Sequence, residues 1–366
     1  MMENQVDCIV RFHDAKRLYE LKRCVFSLVG QKHRPLHIII AVQRFTDAQV
    51  ADTRAALAPI LSLPNPPTAT IRNWESASPN DARTELLNMG LAAATGQYVS
   101  FLDYDDVLYP EAYAILMERL KVTGNAIAFA TVRVVAADVF PEFIHVAGQK
   151  GAHFSGEDLR NLFLANFCPI HSYLIDRSIV SPDILSFDTA ITWEEDYDLL
   201  LKICAAYPSD FAAVKKTIGD YYYKNDGSNS IPTNGMLNKE RALEYERVQD
   251  FIEVRRRTTL VAPEVQKQLG MRTISHSLTI RDALNAERDG QIVALYNSTS
   301  WRITRPLRIV IQQIKRVRRV TELAMPAIKH GGGLKNTFKK AIRLYRHGGM
   351  AGIKRGFRLM AGLGRK

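Results

Sequence analysis

Strand-length segments alternate with stretches that place apolar residues at helical spacing through the first two hundred residues. Val6–Phe12, Leu36–Val42, Thr68–Trp74 and Tyr98–Leu102 read as strands. The helical patterns between and after them are Leu18–Val29, Asp47–Ala58, Asp81–Ala94 and a helix opening at Pro110. A β-rich stretch follows from Ala126 to Val135, and Pro64, Pro66 and Pro67 punctuate the loop before the third strand. This order predicts an α/β fold with a doubly wound, mostly parallel sheet and helices on both faces. From Met236 to about Gly290 the chain is charged and helix-favouring, without a strand signal. The pattern therefore predicts three parts: a domain over 1–235, a helical extension over 236–296 and a tail over 297–366.

Composition leaves this picture unchanged for the body and sets the tail apart. With 46% hydrophobic and 24% charged residues in 366, disordered, collagen-like and disulfide-scaffold classes are excluded for the whole chain. The net charge of +11 is uneven: residues 301–366 carry eighteen Lys and Arg against one acid, Glu322, while the rest carries 31 basic and 37 acidic residues. Such asymmetry points to an anionic partner for the tail, a lipid surface or nucleic acid. Cys8, Cys24, Cys168 and Cys204 form no CxxC pair, which argues against a zinc site or a disulfide framework. The N-terminus lacks the apolar run of a signal peptide, and no window reaches the ~18 apolar residues of a spanning helix, so a cytoplasmic location is expected.

In doubly wound sheets ligands bind beyond the carboxyl ends of the strands, which makes Arg11–Asp14, Gln43–Asp47 and Asp103–Asp106 the candidate clusters. The last is Tyr98-Val-Ser-Phe-Leu-Asp103-Tyr-Asp105-Asp106, three carboxylates in four positions after a strand. Like charges so close need a cation, and oxygen ligands suit Mg²⁺ or Mn²⁺. A solvated turn capping the next helix is the plainer alternative.

These residues carry a resemblance. Ser27-Leu-Val-Gly-Gln31, Asn88-Met-Gly90-Leu-Ala-Ala-Ala-Thr-Gly96-Gln-Tyr98 and the acidic run after it, in that order, resemble the motif series of family 2 glycosyltransferases of the GT-A fold. The resemblance spans Val6 to about Ser230. It implies that Asp105 binds a divalent metal bridging the donor's diphosphate, and that Asp103 and Asp106 hold the ribose or the metal's water shell. Trp193-Glu-Glu195-Asp196-Tyr-Asp198-Leu-Leu-Leu-Lys202 resembles the family's "ED" motif, which implies Asp196 as catalytic base with Glu195 as the alternate. Inverting transfer needs such a carboxylate to accept the acceptor's proton. Phe12 and Asp14 fall where the family contacts the base, although Phe12 equally suits a core position. Gln43 and Arg44 stand where an acidic pair is usual, which leaves the base open. Arg83 is a candidate for base or phosphates, or a surface charge. Tyr222-Tyr-Lys224-Asn-Asp226-Gly-Ser-Asn-Ser230 resembles the closing loop, which implies a phosphate-pairing Lys224, and an Asp226 that ligates the metal or makes a turn. Trp193 and His171 are candidates for the acceptor groove.

In the tail, Asn297-Ser-Thr-Ser-Trp301-Arg-Ile-Thr-Arg-Pro-Leu-Arg308 resembles a module that follows such domains in bacterial O-antigen and other surface-polysaccharide enzymes. Beyond it Leu307, Val310, Ile311, Ile314 and Val317, then Phe338, Ile342, Tyr345, Ile353, Phe357 and Met360, recur at helical spacing among Lys and Arg. Basic amphipathic helices bind anionic membrane surfaces, so residues 307–366 are expected to hold the enzyme peripherally at the inner face of the plasma membrane, near a glycan or lipid-linked acceptor. Packing on a protein partner is the alternative, and nucleic acid the third, since the tail has no reading motif. A nucleotidyltransferase making nucleotide-sugars is the rival enzyme class, but it would want a Gly-rich loop after the first strand, and Arg11–Arg17 has no Gly. A non-catalytic glycan-assembly scaffold is the rival outside enzymes.

Overall fold

Strand β1 (Met2–Phe12) is buried on both faces from Gln5 to Val10, as a central parallel strand must be. The computed structural model describes residues 1–140, 143–149, 154–225, 239–271 and 284–294, with scattered positions from 311 to 346. The chain divides into two units, 1–273 and 274–366.

The first unit begins β1, α1 (Leu18–Val29), β2 (Leu36–Gln43), α2 (Asp47–Leu61), β3 (Thr68–Trp74), α3 (Arg83–Ala93) and β4 (Gly96–Asp103). It continues with β5 (Val107–Leu108), α4 (Ala112–Thr123), β6 (Ile127–Phe129), β7 (Thr131–Val139), β8 (Ile144–Gln149), α5 (Leu159–Leu164) and β9 (Tyr173–Asp176). The last elements are α6 (Glu195–Ala206), β10 (Ser209–Asp210), β11 (Thr217–Lys224), α7 (Lys239–Thr258) and α8 (Pro263–Gln268). The main sheet runs β10-β6-β9-β4-β1-β2-β3. Only β9 lies antiparallel to its neighbours, so the sheet is mostly parallel, as the alternation of elements predicts.

Alternation along β1 separates two apolar clusters. Ile9 joins Ile39, Val99 and Phe101 on one face. Val6, Cys8, Val10 and Phe12 join Ile38, Ile40 and Val42 on the other. Gly96, where β4 starts beside β1, has no room for a side chain, because a Cβ would lie 2.7 Å from the Gln5 carbonyl oxygen. Its N–H donates to buried Asp7 Oδ2 at 2.7 Å, which fixes the start of the pairing that carries Arg11 to Asp103.

Two features depart from the sequence pattern. The β-rich stretch from Ala126 is split: β6 belongs to the main sheet, whereas β7 joins a second sheet of order β5-β11-β7-β8. The segment expected as a helical extension contributes Val248, Ile252 and Val265 to the same buried cluster as Leu199 and Ile203 of α6. Among the described residues no helix is long and apolar enough to cross a membrane. In the tail, the described Ile311, Ile314, Phe338 and Ile342 are exposed, and most of the apolar stripe, including Tyr345 and Phe357, lies outside the described residues.

Candidate active site

Parallel pairing of β1 and β4 sets Arg11 opposite Asp103 at the carboxyl ends of both strands. Arg11 Nε and Nη2 donate to the two oxygens of Asp103 at 2.5 and 3.1 Å, and Nη1 donates to Glu195 Oε1 at 2.5 Å. One guanidinium thus joins the acidic loop after β4 to the first turn of α6. Planar, bidentate pairing of this kind is the strong form of the ion pair. Burial works against the Arg11 charge, but Asp103 and Glu195 overcome it and hold the pKa well above its ordinary value. The Asp103 carboxyl is likewise opposed by burial, yet Arg11 draws its pKa below the usual range.

Each acid of the loop has its own partner. Asp105 Oδ2 lies 2.9 Å from Lys224 Nζ, which also lies 2.6 Å from Glu20 Oε2 of α1. Asp106 is buried, accepts the Tyr222 N–H at 2.8 Å, and stands 3.5 Å from His171 Nδ1. Burial, with Asp105 and Asp103 beside it, pushes the Asp106 pKa well above the carboxylate range. The acids of the loop are thus offset separately, Asp103 by Arg11 and Asp105 by Lys224, each cation being shared with a further carboxylate, Glu195 and Glu20.

A cavity of about 610 Å³ opens over this loop. Asp14, Gln43, Arg83, Asp103, Asp105 and Trp193 line it, together with Arg11, His13 and Arg17. Four expectations need correction. Phe12 is fully buried, edge-on to Phe45 and Tyr104, and shares a face of β1 with the core, so it cannot stack on a ligand in the cavity. His171 is buried and stacked on Tyr221 rather than set in a groove, and burial lowers its pKa to about 4, leaving it neutral. Lys224 is 2% exposed and spends its charge on Glu20 and Asp105, so it faces no phosphate. Gln43 lines the cavity with its amide half committed: Nε2 donates to the Asn80 carbonyl at 2.8 Å and Oε1 accepts the Ala82 N–H at 3.1 Å, which leaves one N–H and one lone pair rather than the full amide for a base edge. Asp226 lies outside the described residues.

The acids of α6 do not themselves line the cavity; Glu195 reaches it through Arg11. Asp196 accepts its neighbour's Tyr197 N–H at 2.7 Å and a longer contact of 3.4 Å from Asn166 Nδ2. Burial, then Glu195 and Glu194, push its pKa well above the carboxylate range. Glu194, just before the helix, holds a left-handed backbone at φ 57°, a strained conformation for a residue with a side chain. Residues absent from the sequence reading are Glu20, which anchors Lys224, and Glu244 of α7, which accepts from Thr192 Oγ1 at 3.2 Å and lines the cavity. Neither stands in a motif, and helical periodicity alone marks Glu244 only as a polar position.

The geometry suits a divalent cation in donor type. Asp103 and Asp105 keep 24% and 25% of their side chains exposed at the cavity, and carboxylate oxygens are what Mg²⁺ or Mn²⁺ accepts. Among the described residues no three His, Cys, Asp or Glu side chains converge on one point, so solvent or a substrate's oxygens would complete the shell.

Residues 9–180 match the model of glycosyl transferase family 2, and that segment is a domain of this family. The chain is 26% identical over 221 residues to the succinoglycan biosynthesis protein ExoO of Rhizobium meliloti (strain 1021), a match covering 56% of this chain and 57% of that protein. It is 31% identical over 114 residues to the uncharacterized glycosyltransferase YibD of Escherichia coli (strain K12), covering 31% and 30%. Similar solved structures include S. aureus TarS 1–349 in complex with UDP-GlcNAc, at 13% identity, TM-score 0.47 and coverage of 69% and 66%. Another is the mannosyltransferase PcManGT from Pyrobaculum calidifontis in complex with GDP-Man and Mn²⁺, at 15% identity, TM-score 0.46 and coverage of 81% and 82%.

Replacing Arg11 by Met strands two carboxylates, and breaking a buried pair from one side costs about 3–5 kcal/mol. Urea unfolding is expected to show a loss of that order for Arg11→Met, with part recovered in Arg11→Met/Glu195→Gln. Equal stability of the single variant and wild type would remove Arg11 as the joint.

Proposed function

We propose that the chain transfers a sugar, with inversion, from a nucleotide-sugar to a hydroxyl of a growing bacterial cell-surface glycan or lipid-linked acceptor. The observation that carries this reading is the Arg11 joint, which ties the carboxylates of the β4 loop, on the cavity wall, to the first turn of α6 behind that wall. Asp103 and Asp105 would hold Mg²⁺ or Mn²⁺ against the donor's diphosphate, where the cation would offset charge on the departing group. Arg17 and Arg83 also line the cavity, Arg17 paired with Asp14 and Glu20 and Arg83 with Asp81, so a phosphate would share them with these acids.

Asp196 is the proposed base. It takes the proton of the acceptor hydroxyl as that oxygen attacks the anomeric carbon and the bond to the diphosphate breaks. Glu195 is less suited, because its Oε1 is already engaged by Arg11 Nη1 at 2.5 Å. Instead it holds the first turn of α6 against β1. A base must be ionised before it can act, and the raised pKa of Asp196 moves that ionisation upward. By linkage, the protonated carboxyl favours the folded state below the ordinary carboxylate pKa, and this advantage is lost as pH rises through the raised value.

The basic segment 307–366 would hold the enzyme at an anionic membrane surface on the cytoplasmic side, near a lipid-linked acceptor. Its charge and apolar periodicity support that placement. The test is co-sedimentation with anionic vesicles, expected for the full chain and lost when residues 297–366 are removed. Retention by the shortened chain would move the attachment to the body.

Transfer measured against pH is expected to rise through an acidic limb above the ordinary aspartate range. Asp196→Asn should lower the plateau by about 100-fold or more. Unchanged turnover in this variant would end the assignment, and a comparable loss in Glu195→Gln alone would pass the role to Glu195.

A further inference from the structure

Helix α7 begins beyond the segment that matches the family model, yet it is fastened to the helix that carries the proposed base. Val248 and Ile252 are buried in the main cluster, Arg255 Nε donates to Asp198 Oδ1 at 2.7 Å, and Arg256 Nε donates to the Phe163 carbonyl at 3.1 Å. Glu244 stands four residues before Val248 and eight before Ile252, on the same stripe of the helix. That stripe therefore carries one acid beside its buried apolar residues, and the acid lies on the cavity wall.

The surroundings of Glu244 have the composition of a sugar site. Thr192 Oγ1 donates to its Oε1 at 3.2 Å, and neighbouring Tyr245 packs against Trp193 with ring centroids 5.5 Å apart. Thr192 and Trp193 line the same cavity, three and two residues ahead of Glu195, where the first turn of α6 begins. Trp193 is 8% exposed and so offers a small apolar surface at the wall, while exposed Glu244 offers a carboxylate that accepts from sugar hydroxyls in charge-assisted bonds. A negative charge at this point also repels carboxylate- or phosphate-bearing sugars. Arg17 and Arg83 line the cavity too, which gives it cations for a diphosphate as well as this acidic, aromatic patch.

We infer that Glu244, with Trp193 and Thr192, forms the acceptor subsite and selects a neutral terminal sugar. The inference rests on the reading of the cavity as a glycosyl-transfer site and specifies the substrate class on its acceptor side. Thr192, Trp193 and Glu244 all lie beyond the matched segment, residues 9–180.

The test is saturation-transfer NMR on the full chain with methyl β-D-glucopyranoside, methyl β-D-galactopyranoside, methyl α-D-mannopyranoside and methyl β-D-glucuronide as probes. Wild type is expected to give signal with at least one neutral glycoside and none with the glucuronide. Glu244→Ala should cut the neutral signal at least fivefold, and Glu244→Lys should exchange it for the glucuronide. Circular dichroism melting establishes that both variants are folded; should either unfold, Glu244→Gln is read instead, with the neutral signal reduced at least twofold. Equal neutral signals in wild type and a folded variant, preference of wild type for the glucuronide, or no signal from any probe would overturn the inference. Nucleotide-sugar binding is measured in parallel on wild type. Its absence alongside a Glu244-dependent glycoside signal would sink the transfer reading while upholding the sugar subsite.

Discussion

A single guanidinium near the end of the central strand organises this site. Arg11 ends β1 where the parallel register sets it beside Asp103, and its third contact reaches across to Glu195. Burial alone would drive Asp103 toward the neutral form, and the guanidinium is what reverses this. The pairing keeps the β4 loop and the start of α6 at a fixed separation, and the two halves of the proposed reaction depend on that separation. Removing the charge would release both elements at once.

The remaining acids show how one fold sets neighbouring carboxyls to different states. Asp103 is held ionised by Arg11, while Asp106, buried with its neighbours' charge beside it, is driven toward protonation. Asp105 has a lysine at 2.9 Å that is itself anchored by Glu20. Lys224 is thereby a fixed counter-charge beneath the loop, and an incoming divalent cation would meet carboxylates whose geometry is already set. Such pre-arrangement lowers the cost of ordering the site when a ligand arrives.

Much of this was legible in the sequence, and the misses have physical reasons. Parallel central strands read as continuous apolar runs, so β1, β2 and β4 were visible, but the same continuity hid which face each residue takes. Phe12 illustrates this: it follows Cys8 and Val10 onto the core face, while Arg11 takes the site face with Asp7 and Ile9 on its side of the strand. The motif glycine at 96 proved to mark a close approach of backbone to Gln5, and Asn88 to hold the Phe187 backbone at 2.9 Å through both amide atoms. Such residues signal the family through packing rather than chemistry. Lys224 and Glu20 are 204 positions apart, and Glu244 is 52 positions from Thr192, so their partnerships arise only from the tertiary fold. The strand β5 escaped because two residues carry no period, and the second sheet because its β7 and β11 pair across a long stretch of sequence.

The central claim is that the carboxylates at the end of β4 form a metal-assisted nucleoside-diphosphate site. Isothermal calorimetry of UDP, GDP and dTDP binding to the full chain, with and without Mn²⁺, on wild type and Asp105→Asn, addresses it most directly. The account predicts that at least one diphosphate binds wild type at least tenfold more tightly with Mn²⁺, and that Asp105→Asn abolishes this difference. Binding of all three that ignores Mn²⁺, or a Mn²⁺ effect that survives Asp105→Asn unchanged, would contradict it.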